Sequence, residues 1–316
     1  MRFLFVGAGA LGGYFGGRLL QAGRDVTFLL RPRRASQIAS TGLVIKSPLG
    51  DATIAAPRHV LADTIDGHYD VIVVGCKAYD LADTMESFAK AVGPDTAILP
   101  FLNGMSHLDK LDARFGRERV LGGLCMISAA LDPEGRVLHF NDFHKVVYGE
   151  RDGSRSSRVD AITKAFEGAN FEGIASQQIV QEMWEKWTFI AAAAGMTSLM
   201  RSNVGDIVAA GASDVVLALV DECAAIAAHN GHALRPDAIA RARAQLTAVG
   251  SPISASMFRD IERGGPIEAN QIAGDLLALA APSAPGSPSV LRIVVAHLKT
   301  YEARRAREAY PALATS

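Results

Sequence analysis

At 316 residues the chain is long enough for two ordinary domains with buried cores. Its 49% hydrophobic and 21% charged residues describe a globular protein and exclude a disordered one. With 32 basic against 33 acidic side chains the net charge is −1, so there is no electrostatic footprint for nucleic acid or an anionic membrane.

The chain opens with MRFLFVGAGALGG, one basic residue and a short apolar run that breaks at glycines. A signal peptide would continue, so the run reads as a buried parallel strand over residues 2–6. Leu11, Phe15, Leu19 and Leu20 then recur at helical spacing over 10–22. DVTFLL at 25–30, DVIVVG at 70–75 and TAILPFL at 96–102 are further buried strands, with helical segments between them, for example Leu81 to Ala91. Strands alternating with helices predict an α/β domain, a Rossmann-type doubly wound parallel sheet. Over 118–150 the strand-like runs VLGGLCMISAAL, RVLHF and KVVYGE, with the turn DPEG at 132–135, predict an antiparallel extension closing this domain. RDGSRSSR at 151–158 is polar and begins a connecting helix. From about 177 the pattern is helical almost throughout: 178–200, 212–231, 236–249, 254–263, 267–281 and 288–308, with a loop at 281–289 and a locally basic last helix. The expected architecture is a nucleotide-binding α/β domain over 1–176 and an all-α substrate domain over 177–316.

The longest later apolar stretch, Phe189 to Met196, is too short to span a bilayer. Cys76, Cys125 and Cys223 are sparse and far apart in sequence, with no CxxC, which fits buried thiols in a reducing compartment rather than a disulfide framework. A cytoplasmic protein is expected.

GAGALG at 7–12 matches G-x-G-x-x-G between a predicted strand and a predicted helix. Gly7 permits the tight turn, Gly9 lets a pyrophosphate approach the backbone, and Gly12 lets helix and strand pack closely. Gly9, Ala10 and Leu11 open the helix, whose unpaired amides and positive dipole suit phosphates. An NAD-preferring site places an acid at the end of the second strand to hold the ribose 2′-hydroxyl. Here Arg31 stands there, followed by Arg33 and Arg34, and a guanidinium fork matches a 2′-phosphate. NADPH/NADP+ is the cofactor that this predicts, with Arg33 and Arg34 open to a plainer reading as a solvated basic loop. Lys77 follows DVIVVG at the carboxyl edge of the sheet, where it is either a 2′-phosphate or adenosine contact or a surface lysine. Asn103, before Gly104, is at the same kind of edge and is either a turn residue or a nicotinamide neighbour.

In the helical half, Lys186 lies in a strongly apolar run with Trp184, Trp187, Phe189 and Ile190. Such a lysine either snorkels to the surface or acts as an acid delivering a proton to a carbonyl oxygen, which loss of hydration favours. Glu268 and Asn270 are expected to begin a helix behind Pro266, and Ser256 to lie near the start of the preceding one, where a capping role is natural.

Taken in order, GAGALGG, LLR at 29–31, CKAYD at 76–80, LNGM at 102–105, WEKW at 184–187 and SMFRDIERGGPIEANQI at 256–272 resemble the ketopantoate reductase (2-dehydropantoate 2-reductase) family over nearly the whole chain. The resemblance implies NADPH-dependent reduction of a 2-keto acid to a 2-hydroxy acid, as in pantothenate biosynthesis. It implies roles for Lys186 as the catalytic lysine protonating the ketone, Glu268 as the catalytic-site glutamate holding substrate, Ser256 at the substrate carboxylate, Asn103 beside nicotinamide and substrate, and Arg31 with Lys77 at the 2′-phosphate. The chain departs from the family where Ile190, Ala194 and Ile253 replace asparagines, which removes hydrogen-bond donors on the substrate side and points to a more apolar keto acid. An opine-type dehydrogenase and a non-catalytic NADP(H)-sensing protein are the alternatives. The expected partner is a small-molecule 2-keto acid, with no metal, no nucleic acid and no membrane, and with a homodimer left open.

Overall fold

The structure, a computed structural model, describes residues 1–282 and 289–309. The middle of the loop expected at 281–289 therefore lies outside the described residues. The chain divides into two compact units: Met1–Leu102 with His107–Val180, and Asn103–Ser106 with Gln181 onward.

The first unit opens with β1 (Arg2–Val6), α1 (Ala10–Gln21), β2 (Asp25–Leu29), α2 (Pro32–Thr41), β3 (Leu43–Lys46), β4 (Ala52–Ile54), β5 (His59–Val60), β6 (Val71–Val74), α3 (Leu81–Phe88) and β7 (Ala97–Pro100). Five of these strands form a parallel sheet in the order β5-β2-β1-β6-β7. In β1, β2 and β6 nearly every residue is buried, as a parallel strand covered on both faces requires. Glycines bring α1 close to the strands around it. A Cβ added at Gly16 would lie 2.7 Å from the Phe28 ring, and one at Gly17 2.7 Å from Ile45. Aromatic rings fill the core, with Phe15 edge-on to Phe101 at 5.6 Å and to Phe171 at 5.1 Å.

The region expected to add an antiparallel extension is divided differently. After α4 (Ser106–Phe115), β8 (Gly122–Met126), β9 (Ala129–Leu131), β10 (Val137–His139) and β11 (Lys145–Gly149) enter two separate sheets, followed by α5 (Ser157–Phe166) and β12 (Glu172–Ala175). One sheet runs β4-β3-β10-β9 and the other β12-β11-β8. Both are mixed, because β10 pairs with β3 and β11 with β12 in parallel. The parallel partners LVIK and EGIA are too short and too half-exposed to stand out as apolar runs.

The second unit is helical, with α6 (Ile179–Met200), α7 (Val204–Ala209), α8 (Ser213–His229), α9 (Pro236–Leu246), α10 (Ser256–Glu262), α11 (Asp275–Ala278) and α12 (Val290–Ala309). The α6 helix is its spine. Every residue from 191 to 198 is buried, as a helix apolar on all sides must be. At Gly195 it passes so close to α8 and α12 that an added Cβ would lie 3.1 Å from both Leu219 and Val294. The short α7 was not foreseen. It is capped by Asn203, whose Oδ1 accepts from the Asp206 amide at 2.9 Å. The helix expected over 267–281 begins only at Ala269 and opens as a π turn over Asn270–Gly274 before continuing as α11. Pro266 and Glu268 are therefore non-helical residues ahead of it. No helix among the described residues is long and apolar enough to cross a membrane.

Candidate functional site

In the first unit the sequence motif forms a cradle at the carboxyl ends of neighbouring strands. Gly7 has φ +90°, a conformation that side chains rarely adopt, and its amide donates to the Leu29 carbonyl at 2.9 Å, tying the turn to β2. Gly9 is the N-cap of α1, is exposed, and an added Cβ there would meet nothing within 4 Å. Gly12 is the reverse case: its Cβ would fall 2.2 Å from the Gly7 carbonyl oxygen. The first turn of α1 thus lies flat on the loop while its outer side opens to solvent. The earliest intrahelical bond here runs from the Gly13 amide to Gly9 O at 2.8 Å, so the amides of Ala10, Leu11 and Gly12 precede it. No acidic side chain occupies that turn. Open space beside Gly9, presented amides and the positive helix end fit a dinucleotide pyrophosphate.

Arg31 is the N-cap of α2, just past β2, with its side chain 71% exposed. Its guanidinium lies 3.5 Å from Asp80. Asp80 ends the short 3-10 turn Ala78–Asp80, and Lys77, half-buried, is the N-cap of that turn. The Arg31–Asp80 pair therefore joins the two segments expected to hold the 2′-phosphate. Arg34 does not belong to a solvated loop. It is half-buried in α2, with Nε donating to the Ala8 carbonyl at 3.0 Å and Nη1 to Gln37 at 2.6 Å.

In the second unit Lys186 is half-buried on α6. At about 100° per residue, Ile190, Ala193, Ala194 and Thr197 share its face of the helix. Thr197 Oγ1 donates to Ala193 O at 2.7 Å and accepts from the Ala255 amide at 3.4 Å, which ties the start of α10 to this stripe. Ser256 is the first residue of α10 and is exposed. The N-cap is Ala255 and makes no side-chain bond, so the capping role expected of Ser256 is absent. Ile253 is held by its carbonyl, which accepts from the Val204 amide at 2.9 Å. Glu268 is 4% exposed, two residues before the π turn.

Two features went unseen in the sequence. The indole Nε1 of Trp187 donates to the Ile272 carbonyl at 3.0 Å, inside the π turn. Gly104, at φ +77°, lies so close to the neighbouring Gln271 that an added Cβ would stand 2.4 Å from its carbonyl oxygen and 3.8 Å from Trp187 Nε1. These contacts place Asn103–Ser106 with the helical unit rather than with the α/β half, where chain order had put them. A glycine after Asn103 was the visible signal for a close approach, but nothing in the sequence named its partner. Single π turns are rare and recur at functional sites.

Two family models match the chain: "Ketopantoate reductase PanE/ApbA" over residues 3–153 and "Ketopantoate reductase PanE/ApbA C terminal" over 178–302. "Uncharacterized oxidoreductase YkpB" of Bacillus subtilis (strain 168) is 38% identical over 96% of this chain and all of its own length. The crystal structure of 2-dehydropantoate 2-reductase from Methylococcus capsulatus is 28% identical with a TM-score of 0.84, covering 97% of this chain and 98% of that one. A ternary structure of D-mandelate dehydrogenase with NADH and anilino(oxo)acetate has the same fold, at 21% identity and a TM-score of 0.85, covering 97% and 100%. The chain belongs to the ketopantoate reductase family of oxidoreductases.

Proposed function

We propose that the protein reduces a 2-keto acid to the 2-hydroxy acid with NADPH, in the cytoplasm, and that the substrate is more apolar than ketopantoate. The observation that carries the cofactor part is Arg31, which stands at the end of β2 where an NAD site has its acid. In this reading Gly7, Gly9, Ala10, Leu11 and Gly12 receive the pyrophosphate, and Arg31 with Lys77 receives the 2′-phosphate. Bound NADPH supplies the hydride. Lys186 gives its proton to the ketone oxygen as the carbonyl carbon is reduced, so that the alkoxide never has to exist free. Glu268 holds the substrate, Ser256 donates its hydroxyl proton in a hydrogen bond to the substrate carboxylate, and Asn103 orients the nicotinamide and carbonyl ends. A place in pantothenate biosynthesis follows only if ketopantoate is the favoured substrate.

The substrate part rests on the stripe next to Lys186. Ile190 and Ala194 occupy it with apolar groups and leave a substrate hydroxyl without a donor. A hydroxyl left without a partner in this way costs about 1–3 kcal/mol, about 5- to 150-fold in specificity. The same fold holds NADH and anilino(oxo)acetate in D-mandelate dehydrogenase, so it accommodates an aromatic oxo acid there. The test is a steady-state screen of NADPH oxidation over ketopantoate, 2-ketoisovalerate and an aromatic 2-oxo acid. Comparable or better specificity constants for the two acids lacking the hydroxyl support the reading. A ketopantoate advantage above about 1000-fold, the scale of a dedicated polar site, refutes it.

A further inference from the structure

Arg34 follows Arg31 by one turn of α2 but has a different setting. Arg31 reaches solvent, whereas Arg34 reaches back under the glycine-rich turn. Its Nε holds the Ala8 carbonyl at 3.0 Å, its Nη1 is fixed by Gln37 Oε1 at 2.6 Å, and its Nη2 is buried with no hydrogen-bond partner. Burial disfavours the charge on this guanidinium, and the Asp132 carboxylate opposes that effect. A half-buried cation with a buried, unused donor carries a cost that something else in the structure must offset.

The role of Arg34 lies in what it grips. Ala8 sits between Gly7 and Gly9, the two residues with the most backbone freedom in the turn. A carbonyl dipole that swung toward the pyrophosphate would repel it, and would turn the adjoining amide away. We propose that Arg34 is a positioning residue for the dinucleotide: by gripping the Ala8 carbonyl it locks the Gly7–Gly9 turn with its amides facing the pyrophosphate. This inference rests on dinucleotide binding by the first unit but not on the choice of NADPH over NADH, since both carry the pyrophosphate.

Two fragments of the cofactor separate the roles. ADP-ribose has the pyrophosphate and no 2′-phosphate, and adenosine 2′-phosphate has the reverse. Calorimetric titration of the full chain and of Arg34→Met should show ADP-ribose binding weakened about 10-fold or more, with adenosine 2′-phosphate within about twofold of the unaltered protein. Arg34→Lys keeps a donor for the Ala8 carbonyl but loses the second bond to Gln37, and should recover ADP-ribose binding only in part. ADP-ribose binding by Arg34→Met equal to that of the unaltered protein would overturn the proposal. Equal loss of both fragments would overturn it too, by showing a merely structural role. If Arg34→Met does not fold, Gln37→Leu, which releases only Nη1, should weaken ADP-ribose by a smaller factor with adenosine 2′-phosphate unaffected, and unchanged ADP-ribose binding there would count against the proposal. Failure of the NADPH reading has a separate sign: adenosine 2′-phosphate binding no better than adenosine, with the ADP-ribose pattern intact.

Discussion

In the proposed cofactor site Arg31 and its neighbour Asp80 would pull in opposite directions. The guanidinium would offer a fork to a 2′-phosphate, while the carboxylate 3.5 Å away would compete for that fork and repel the phosphate. Arg31→Ala should therefore narrow the difference between NADPH and NADH, chiefly by weakening NADPH about 10- to 100-fold, and Asp80→Asn should widen it several-fold. Fluorescence titration of both cofactors measures this; an Arg31 variant that weakens NADH as much as NADPH would contradict the assignment. Lys186 makes a different prediction because it belongs to the other unit. Lys186→Ala should lower kcat about 100-fold or more and leave the NADPH dissociation constant nearly unchanged. Turnover that survives the change would remove Lys186 from the chemistry. At this scale the sequence was most readable where an effect is local. The tight turn at Gly7 and the close packing at Gly12 announce themselves through neighbours within a few positions. The grip of Arg34 on Ala8 and the bond from Trp187 to Ile272 join residues 26 and 85 apart, and no periodicity points across such gaps.

Among the elements, the π turn at Asn270–Gly274 is the one whose removal would say most. Its carbonyls are out of step with an ordinary helix, and the Trp187 indole satisfies one of them. Trp187→Phe keeps an aromatic ring, deletes the donor and leaves a cavity where the rest of the buried indole stood. It should cost about 2–4 kcal/mol of stability. If the turn also sets Glu268, as the proposed mechanism requires, it should raise KM for the keto acid with little change in NADPH affinity. An unchanged KM alongside lowered stability would leave the turn a purely structural device. Long elements were legible because their apolar repeats are long: β1, β2, β6 and β7 of the first sheet, the α6 helix and the α8 helix fall where their patterns say. The short β3, β4, β5 and β12 strands and the six-residue α7 offer too few residues for a period to show. The start of the helix before α11 was misread because Pro266 is also a favoured first-turn residue. Here it lies within a non-helical segment, 265–268, that carries the buried Glu268.

For the molecule as a whole, acid is the sensitive direction. In the first unit His139 and His144 stack at 5.6 Å beside Tyr14, whose hydroxyl is hydrogen-bonded to His144 Nδ1 at 2.6 Å, and Arg18 lies over the Tyr14 ring. Burial holds both histidines below their ordinary pKa, and the Arg18 charge adds to it. Asp142 acts in the opposite sense on His139, and Glu172 on His144. In the second unit His232, stacked on Trp184, is also lowered by burial. Because the folded pKa values are depressed, the unfolded chain takes up protons first. The stability these groups contribute is complete above the ordinary histidine pKa of about 6.5 and is lost as pH falls below it. Tm should drop by a few degrees between about pH 7.5 and 5.5, before carboxylates titrate. The double variant His139→Gln with His144→Gln should flatten that slope, and an identical slope would assign the effect elsewhere. The two-part organisation was legible from the change of pattern near residue 177, but the attachment of Asn103–Ser106 to the helical unit was not.

That attachment means the two units are not successive stretches of chain, since the polypeptide passes from one to the other at 102/103, 106/107 and 180/181. A gene cut before residue 181 would therefore not yield two self-sufficient products. The C-terminal product would lack the tetrapeptide in which Gly104 lies against Gln271, leaving that surface of the π turn bare. Co-expressed fragments should complement one another, and a synthetic peptide spanning LNGMS should be the smallest ligand that the C-terminal fragment recognises.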